Sequence, residues 1–340
     1  MLWLRKDENL DEFLVLSMRY PLAAPDAIPQ ADLDALADWL RGGPHLTMGS
    51  LCRRFEEEFA AWVGVDHAVM VNSGSSANLL MWAATKHFKV NRNVTAPAVG
   101  WSTTISPAIQ LGFNVELLDV DQDTWGVMET QTFGIAVHVL GVPCGPWAYL
   151  LEDACAALGS EQDGKKVGTN SWMSSFSFFV SHQLGLIEGG MVCTYDAAVA
   201  DILRALRAHG WANDIDPNQE AVWWRNDARG LDEFQRRFAF YVPGFNLRPT
   251  EIQAFLGLRA LPRFDETVAR RVENDARYRK NLAGAEHFRI QHPRKGDQVC
   301  SIAIGVLAAS PEHRAKVAYA LGQAGIETRP IGGGNLARQP

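Results

Sequence analysis

HAVMVNSGSSANLLMWAATKH, residues 67–87, passes from strand to helix through a turn of small residues. HAVMVN (67–72) is a short, nearly continuous apolar run, the form taken by a strand in a sheet covered on both faces. SSANLLMWAATKH (75–87) has the spacing of a helix. The alternation then continues toward the C-terminus. NVTAPA (93–98) reads as a strand, TTISPAIQLG (103–112) as a short helix and NVELLDVD (114–121) as a strand. IAVHVLG (135–141) and AYLLEDA (148–154) are two further apolar runs of strand length. This order predicts an α/β chain built on a mostly parallel sheet.

On the N-terminal side, ADLDALADWLR (31–41) places Leu33, Leu36, Ala37 and Leu40 on one helical face, and Gly42-Gly43-Pro44 ends that helix. Ser50 is a candidate cap for a second helix, with Phe55, Phe59 and Trp62 along one side. On the C-terminal side, MSSFSFF (173–179) and GGMVCT (189–194) predict a strand pair flanking a turn, followed by a helix over 196–208. The polar, aperiodic stretch Trp211–Arg237 reads as a long loop, and TEIQAFLGLRAL (250–261) as a helix. Beyond it the pattern changes: a long helix (about 264–283), a strand near Phe288, the alternating strand CSIAIGV (300–306), a helix (311–324) and a strand near Ile326. The expected division is an N-terminal arm (1–30), a large α/β domain (31–261) and a small α+β domain (262–340).

Composition narrows the functional classes. With 47% hydrophobic and 21% charged residues, the 340-residue chain reads as an ordinary globular protein. A formal charge of −7, with no Lys/Arg run, gives nucleic acid no electrostatic reason to bind. No apolar run of about 18 residues is present, and the first residues show no signal peptide, so a cytoplasmic protein with no membrane association is expected. Five scattered cysteines without a CxxC pair are read as reduced and mostly buried. They offer no cluster for an iron–sulfur centre.

The candidate chemistry sits where strands end. In Asn72-Ser73-Gly74-Ser75-Ser76-Ala77 the glycine allows close approach and a helix N-terminus favours an anion. The same residues also serve as a plain helix cap, and the pattern is neither a Walker A nor a GxGxxG motif. Asp153 lies at the carboxyl end of an apolar strand, where ligands of parallel sheets gather. It can cap a helix there, or hold a heterocyclic nitrogen protonated. Trp101, in PAVGWSTT, offers a flat face for stacking or for core packing. His182 stands on the turn in SFSFFVSHQLGLIEGG, a position suited to a proton shuttle but also to a structural role. His138 reads as a satisfied sheet residue rather than a second base. Within VPGFNLRP (242–249) a rigid turn presents Asn246 and Arg248, and Arg329 is a second guanidinium near the end. No His or acid spacing suits a metal, so none is assigned.

Together these segments resemble the DegT/DnrJ/EryC1/StrS sugar aminotransferase family, within the fold-type I pyridoxal-phosphate enzymes. The resemblance covers residues from about Tyr20 to Asn335, on LTMG (46–49), VNSGSSANLL (71–80), PAVGWSTT (97–104), LEDACAALG (151–159), SFSFFVSHQLGLIEGG (175–190), RAHGW (207–211), VPGFNLRP (242–249) and GIETRPI (325–331). In the family's aminotransferases the position of His182 is a lysine that tethers the cofactor; a histidine before EGG is similar to the family's dehydratase branch. An imidazole forms no such tether, so the resemblance implies noncovalent pyridoxal 5'-phosphate or pyridoxamine 5'-phosphate and His182 as the base. It further implies that Gly74, Ser75 and Ser177 hold the phosphate, that Asp153 pairs with the ring nitrogen, and that Trp101 covers the ring. Asn246 would reach the phosphate from the neighbouring subunit of a homodimer with shared active sites. Arg248 would hold the carboxylate of the amino donor L-glutamate, while Thr47, Met48, Gly49 and Arg329 would surround a nucleotide sugar. The implied reaction is C3 dehydration of a nucleotide-linked 4-keto-6-deoxyhexose, with GDP-4-keto-6-deoxy-D-mannose as the expected substrate. An inactive or repurposed homologue and a nucleotide-sugar aminotransferase are the alternatives.

Three departures from the family pattern accompany this. Ala156 stands where the family carries Gln or Glu. The connections Thr124–Phe133 and Val142–Trp147 are short for parallel crossovers, which need about a dozen residues. The small domain, ending at GGGNLARQP, reads as shortened.

Overall fold

The computed structural model describes residues 19–24, 26–90, 92–127, 132–145, 151–212, 215, 230–236, 238–285 and 287–340. Most of the expected N-terminal arm and of the loop 211–237 lies outside them. A central sheet carries strands β1 (His67–Val71), β4 (Ile135–Val137), β5 (Leu151–Asp153), β8 (Met173–Ser177) and β9 (Gly190–Thr194), in the order β1-β9-β8-β5-β4. Strands β8, β5 and β4 are mutually parallel, and β9 alone runs antiparallel, to both β1 and β8. The parallel pair β2 (Asn93–Pro97) and β3 (Asn114–Leu118) adjoins β4 through a parallel bridge between Thr95 and Gly134. The mostly parallel sheet expected from the alternation is present.

Alternation along each strand sends side chains into two different cores. Ala68 and Met70 of β1 join Met191 and Cys193 of β9 on one face, under α2 (Ser50–Val63) and α6 (Glu251–Ala260). Val69, Val71 and Val192 join the opposite face, under α3 (Gly74–His87), α4 (Ser102–Gln110) and α5 (Ala197–Arg207). The first core centres on Phe59, whose ring meets Phe55, Trp62, Phe176 and Phe178 at centroid distances of 5.3–6.4 Å.

Several local expectations change. In α1 (Gln30–Arg41) Leu33 and Leu40 are exposed, and the helix instead docks through Leu36 and a Trp39–Phe255 stack. The start of α2 is capped not by Ser50 but by the buried Glu251 carboxylate, which accepts from the backbone N–H groups of Gly49, Leu51 and Cys52 at 2.9–3.0 Å. Tertiary capping of this kind leaves no local signature. Strand β4 ends at Val137, before the end of its apolar run, and the chain leaves it through a single 3-10 turn, Val139–Gly141. β4 and β5 nevertheless pair in parallel directly, so the connection that reads as short does join parallel neighbours.

Downstream lie a small hairpin, β6 (Glu161–Gln162) and β7 (Lys165–Lys166), and the long helix α7 (Phe264–Leu282). Then β10 (Phe288–Ile290) pairs antiparallel with β11 (Val306–Ala308), and α8 (Pro311–Gln323) follows. CSIAIGV is therefore not a strand: only its last residue, Val306, enters β11, while Cys300 is buried against Gly141 and Gly159. Ile326 makes a single parallel bridge with Tyr20 in place of a full strand.

Candidate active site

Because β1, β2, β4, β5 and β8 share one direction, their carboxyl ends open on one edge of the sheet, and the chain leaves that edge at Asn72, Ala98, His138, Ala154 and Phe178. Ligands of parallel sheets bind there. The antiparallel β9 begins on the same edge, with Gly190 opposite both Val71 and Ser177. A Cβ on Gly190 would lie 2.4 Å from the Ser73 carbonyl oxygen, so only glycine lets this strand pass the start of α3.

That helix start forms the first corner. Ser73 caps α3 through its hydroxyl, which accepts from Ser76 N–H at 3.1 Å. A Cβ on Gly74 would sit 2.6 Å from Ser177 Cβ and 3.0 Å from both Ser177 Oγ and Cys155 Sγ, which places Ser177 against the first turn of the helix. Ser75 Oγ hydrogen-bonds Thr103 Oγ1 at 2.7 Å, tying the starts of α3 and α4 together. Hydroxyls and free N–H groups at a helix N-terminus are the donor set of a phosphate site.

The second corner is Asp153, buried at the end of β5. Its Oδ2 accepts from Asn78 Nδ2 at 2.9 Å and from Thr104 Oγ1 at 2.6 Å, while Oδ1 accepts from Cys155 N–H at 3.1 Å. Ser175 Oγ in turn donates to Asn78 Oδ1 at 2.6 Å, which orients the amide. Three donors fix the orientation of this carboxylate, and Oδ1 keeps a lone pair for a further donor such as a protonated ring nitrogen. Trp101 precedes α4 and is 56% exposed, which excludes the core-packing use of its indole.

His182 occupies the loop between β8 and β9. Its Nδ1 lies 2.6 Å from the Cys155 carbonyl oxygen. A carbonyl only accepts, so Nδ1 carries the hydrogen and Nε2 is left with the lone pair of a neutral base. Burial is the main influence lowering its pKa from the ordinary histidine value. The Cys155 hydrogen bond and the Asp153 charge oppose that, and the guanidinium charges of Arg329 and Arg271 add to it. Arg329, itself exposed, thus stands within electrostatic reach of His182.

Thr47, Met48, Gly49, Asn246 and Arg248 lie beside the first corner, where the Leu247 carbonyl accepts from Asn72 N–H at 3.0 Å. Arg248 Nε donates to Asn246 Oδ1 at 3.1 Å, and Thr47 bridges Thr250. A Cβ on Gly49 would touch the Glu251 carboxylate, and Met48 packs against the first core. Among the described residues, the side-chain hydrogen bonds of Thr47, Asn246 and Arg248 stay within this neighbourhood and do not reach Asp153 or His182. Asn246, Arg248 and Thr47 are exposed.

The sequence reading missed Asn78, Thr104 and Ser175, which orient Asp153, and Gln183, which braces the His182 loop. Asn78 was within reach of pattern: four residues after Gly74, it shares that residue's helical face. His138 is buried just past β4, where its Nδ1 accepts from Cys144 N–H at 3.0 Å. All five cysteines are unpaired, and all but Cys155 are buried.

The donor set therefore fits a ring that bears a phosphate on one side and a basic nitrogen on the other, with His182 beside it. Comparison with known proteins agrees. The model of the DegT/DnrJ/EryC1/StrS aminotransferase family matches residues 26–144 and 146–340. The chain is 34% identical to GDP-4-keto-6-deoxy-D-mannose 3-dehydratase of Yersinia pseudotuberculosis, over 86% of this chain and 79% of that protein. Its fold is similar to that of the E. coli GDP-4-keto-6-deoxy-D-mannose-3-dehydratase with bound hydrated PLP, at a TM-score of 0.85 and 29% identity, covering 95% of this chain and 87% of that one. It is also similar to a GDP-4-keto-6-deoxymannose-3-dehydratase with a trapped PLP-glutamate geminal diamine, at a TM-score of 0.81 and 28% identity, covering 94% and 88%. With the family model matching nearly the whole of residues 26–340, the chain belongs to the DegT/DnrJ/EryC1/StrS aminotransferase family.

Proposed function

We propose that this chain is a pyridoxal/pyridoxamine phosphate-dependent 3-dehydratase that removes the C3 oxygen of GDP-4-keto-6-deoxy-D-mannose, with L-glutamate as amino donor. One observation carries the reading: an imidazole with its Nδ1–H committed to the Cys155 carbonyl stands where the family's aminotransferases place a tethering lysine. When bound, the pyridoxamine form supplies a primary amine that condenses with the C4 ketone and a ring that takes up electrons as the C3–oxygen bond breaks.

The chain's residues divide the remaining work. Gly74, Ser75 and Ser177 hold the phosphate at the start of α3. Asp153, oriented by Asn78, Thr104 and the Cys155 N–H, pairs with the ring nitrogen and holds it protonated. Trp101 covers the ring face. Nε2 of His182 takes the proton from the cofactor carbon that bears the amine, then returns a proton to the departing C3 hydroxyl, which leaves as water. Arg329 stands on the His182 side, suited to an anionic part of the substrate. The sugar product is the 4-keto-3,6-dideoxy compound, released with ammonia, and L-glutamate restores the amine form as it leaves as 2-oxoglutarate.

The exposed cluster of Thr47, Met48, Gly49, Asn246 and Arg248 completes the site of a second copy in a homodimer: Asn246 reaches the neighbour's phosphate corner and Arg248 the glutamate carboxylate. Thr47, Asn246 and Arg248 are exposed, and among the described residues their side chains make no hydrogen bond to Asp153 or His182 of their own chain, which supports that arrangement. Among the described residues no helix is long and apolar enough to cross a membrane.

Incubation with pyridoxamine phosphate, glutamate and GDP-4-keto-6-deoxymannose, followed by mass spectrometry and an ammonia assay, tests the reaction. Loss of the C3 oxygen with stoichiometric ammonia is expected; an amino sugar overturns the assignment. His182→Asn should abolish deoxygenation while cofactor still binds, and full turnover by that variant would remove His182 from the role of base.

A further inference from the structure

The loop that carries His182 is braced at the next residue. Gln183 is 4% exposed, and its Nε2 donates to two carbonyl oxygens, that of Ala156 at 2.6 Å and that of Cys300 at 2.8 Å. Residues 182 and 183 thus engage consecutive carbonyls of the loop after Asp153: the imidazole takes Cys155 and the amide takes Ala156. The second Gln183 bond fastens the same loop to the segment before β11. Arg271 of α7 strengthens that fastening, donating through Nη1 to the Ser301 carbonyl at 2.9 Å, with Nη2 3.5 Å from the His182 carbonyl. Ala156 itself has only a methyl side chain, so nothing of its own competes for this space.

We infer that Gln183 is a positioning residue: by spending both amide hydrogens on the Ala156 and Cys300 carbonyls, it fixes the His182 ring in the tautomer that leaves Nε2 as the base. This rests on His182 being the base, and it adds that the base is held from two sides. A single-sided tether would let the ring swing out of register with the Cys155 carbonyl, and a displacement of about 1 Å at a reacting group is worth on the order of 100-fold in rate. Groups that face the imidazole are Asp153 and the Cys155 carbonyl from the sheet edge, Arg271 from α7 and Arg329 from the segment after α8.

The test is Gln183→Met, which keeps the length and removes both donors, measured by 15N NMR of histidine-labelled protein without cofactor and then by kinetics. In the unsubstituted protein the His182 signals should report hydrogen on Nδ1. In Gln183→Met that preference should be lost, the titration midpoint should move up toward the ordinary histidine value as water reaches the ring, and kcat should fall at least tenfold with KM within about threefold. If Gln183→Met does not fold, Gln183→Asn, which keeps the amide on a shorter arm, should show the same changes at smaller size. A variant that melts earlier but keeps the tautomer, midpoint and kcat would make Gln183 a packing residue and overturn the inference. The NMR arm stands apart from turnover, so full activity of His182→Asn would sink the assignment of the base while leaving the tautomer comparison to be judged separately.

Discussion

The buried pair His138 and Glu152 shows how single residues set a pH response. Their nearest charged atoms are 3.9 Å apart, at the limit of an ion pair, and burial drives both toward neutrality. It pushes His138 down to about 4 and Glu152 up to about 7, so we read them as a neutral contact. Linkage gives the signs. Glu152, raised in the folded state, contributes stability that is full below its ordinary value near 4.5 and is lost as pH rises through about 7. His138, depressed in the folded state, contributes stability that is full above 6.5 and is lost as pH falls through about 4. Between these limits each proton is worth about 1.4 kcal/mol per pH unit in opposite directions, so the pair's net effect is nearly flat. Relative to the parent, His138→Gln should therefore lose stability from pH 4.5 toward 7, and Glu152→Gln should gain it from pH 4 toward 6.5. Denaturant melts at several pH values check this, and slopes of the same sign in both variants would refute it.

At the scale of elements, what could be read in advance was what repeats. Apolar runs such as HAVMVN and the paired MSSFSFF and GGMVCT located the strands, and the small-residue turn at Ser73-Gly74 located the first corner of the site. CSIAIGV misled because alternation cannot distinguish a strand from an extended segment buried at one point, here at Cys300. Interactions distant in sequence were not legible: Glu251 caps α2 across about 200 residues, and Asn78 and Thr104 reach Asp153 from two separate helices. The Glu251 cap is testable. Glu251→Ala leaves three N–H groups at the start of α2 without their acceptor and should cost about 3 kcal/mol in a denaturant melt. The carboxylate also lies against Gly49, so the loop Thr47–Gly49 should lose order with it, as hydrogen exchange would show.

For the whole molecule the question is whether two copies share their sites, as proposed above. If Asn246 serves the neighbour, a subunit with His182→Asn and one with Asn246→Asp are each inactive alone. In a twofold-symmetric mixture, half the dimers are mixed and each restores one of its two sites, so co-refolding should recover about a quarter of full activity. Absence of recovery, with mixed dimers shown to form, would place Asn246 in its own subunit's site or in none.

The place of β1 in the sheet has a cost in time. His67 pairs with Thr194, a partner 127 residues later in the chain. On a ribosome adding roughly 5–20 residues per second, HAVMV waits on the order of 10 s for its partner to be made. Both of its faces are apolar, and until β9 emerges its backbone is an unpaired edge open to other nascent chains. Faster elongation shortens that wait; a pause before residue 190 lengthens it, and the yield of soluble protein from the cell should follow.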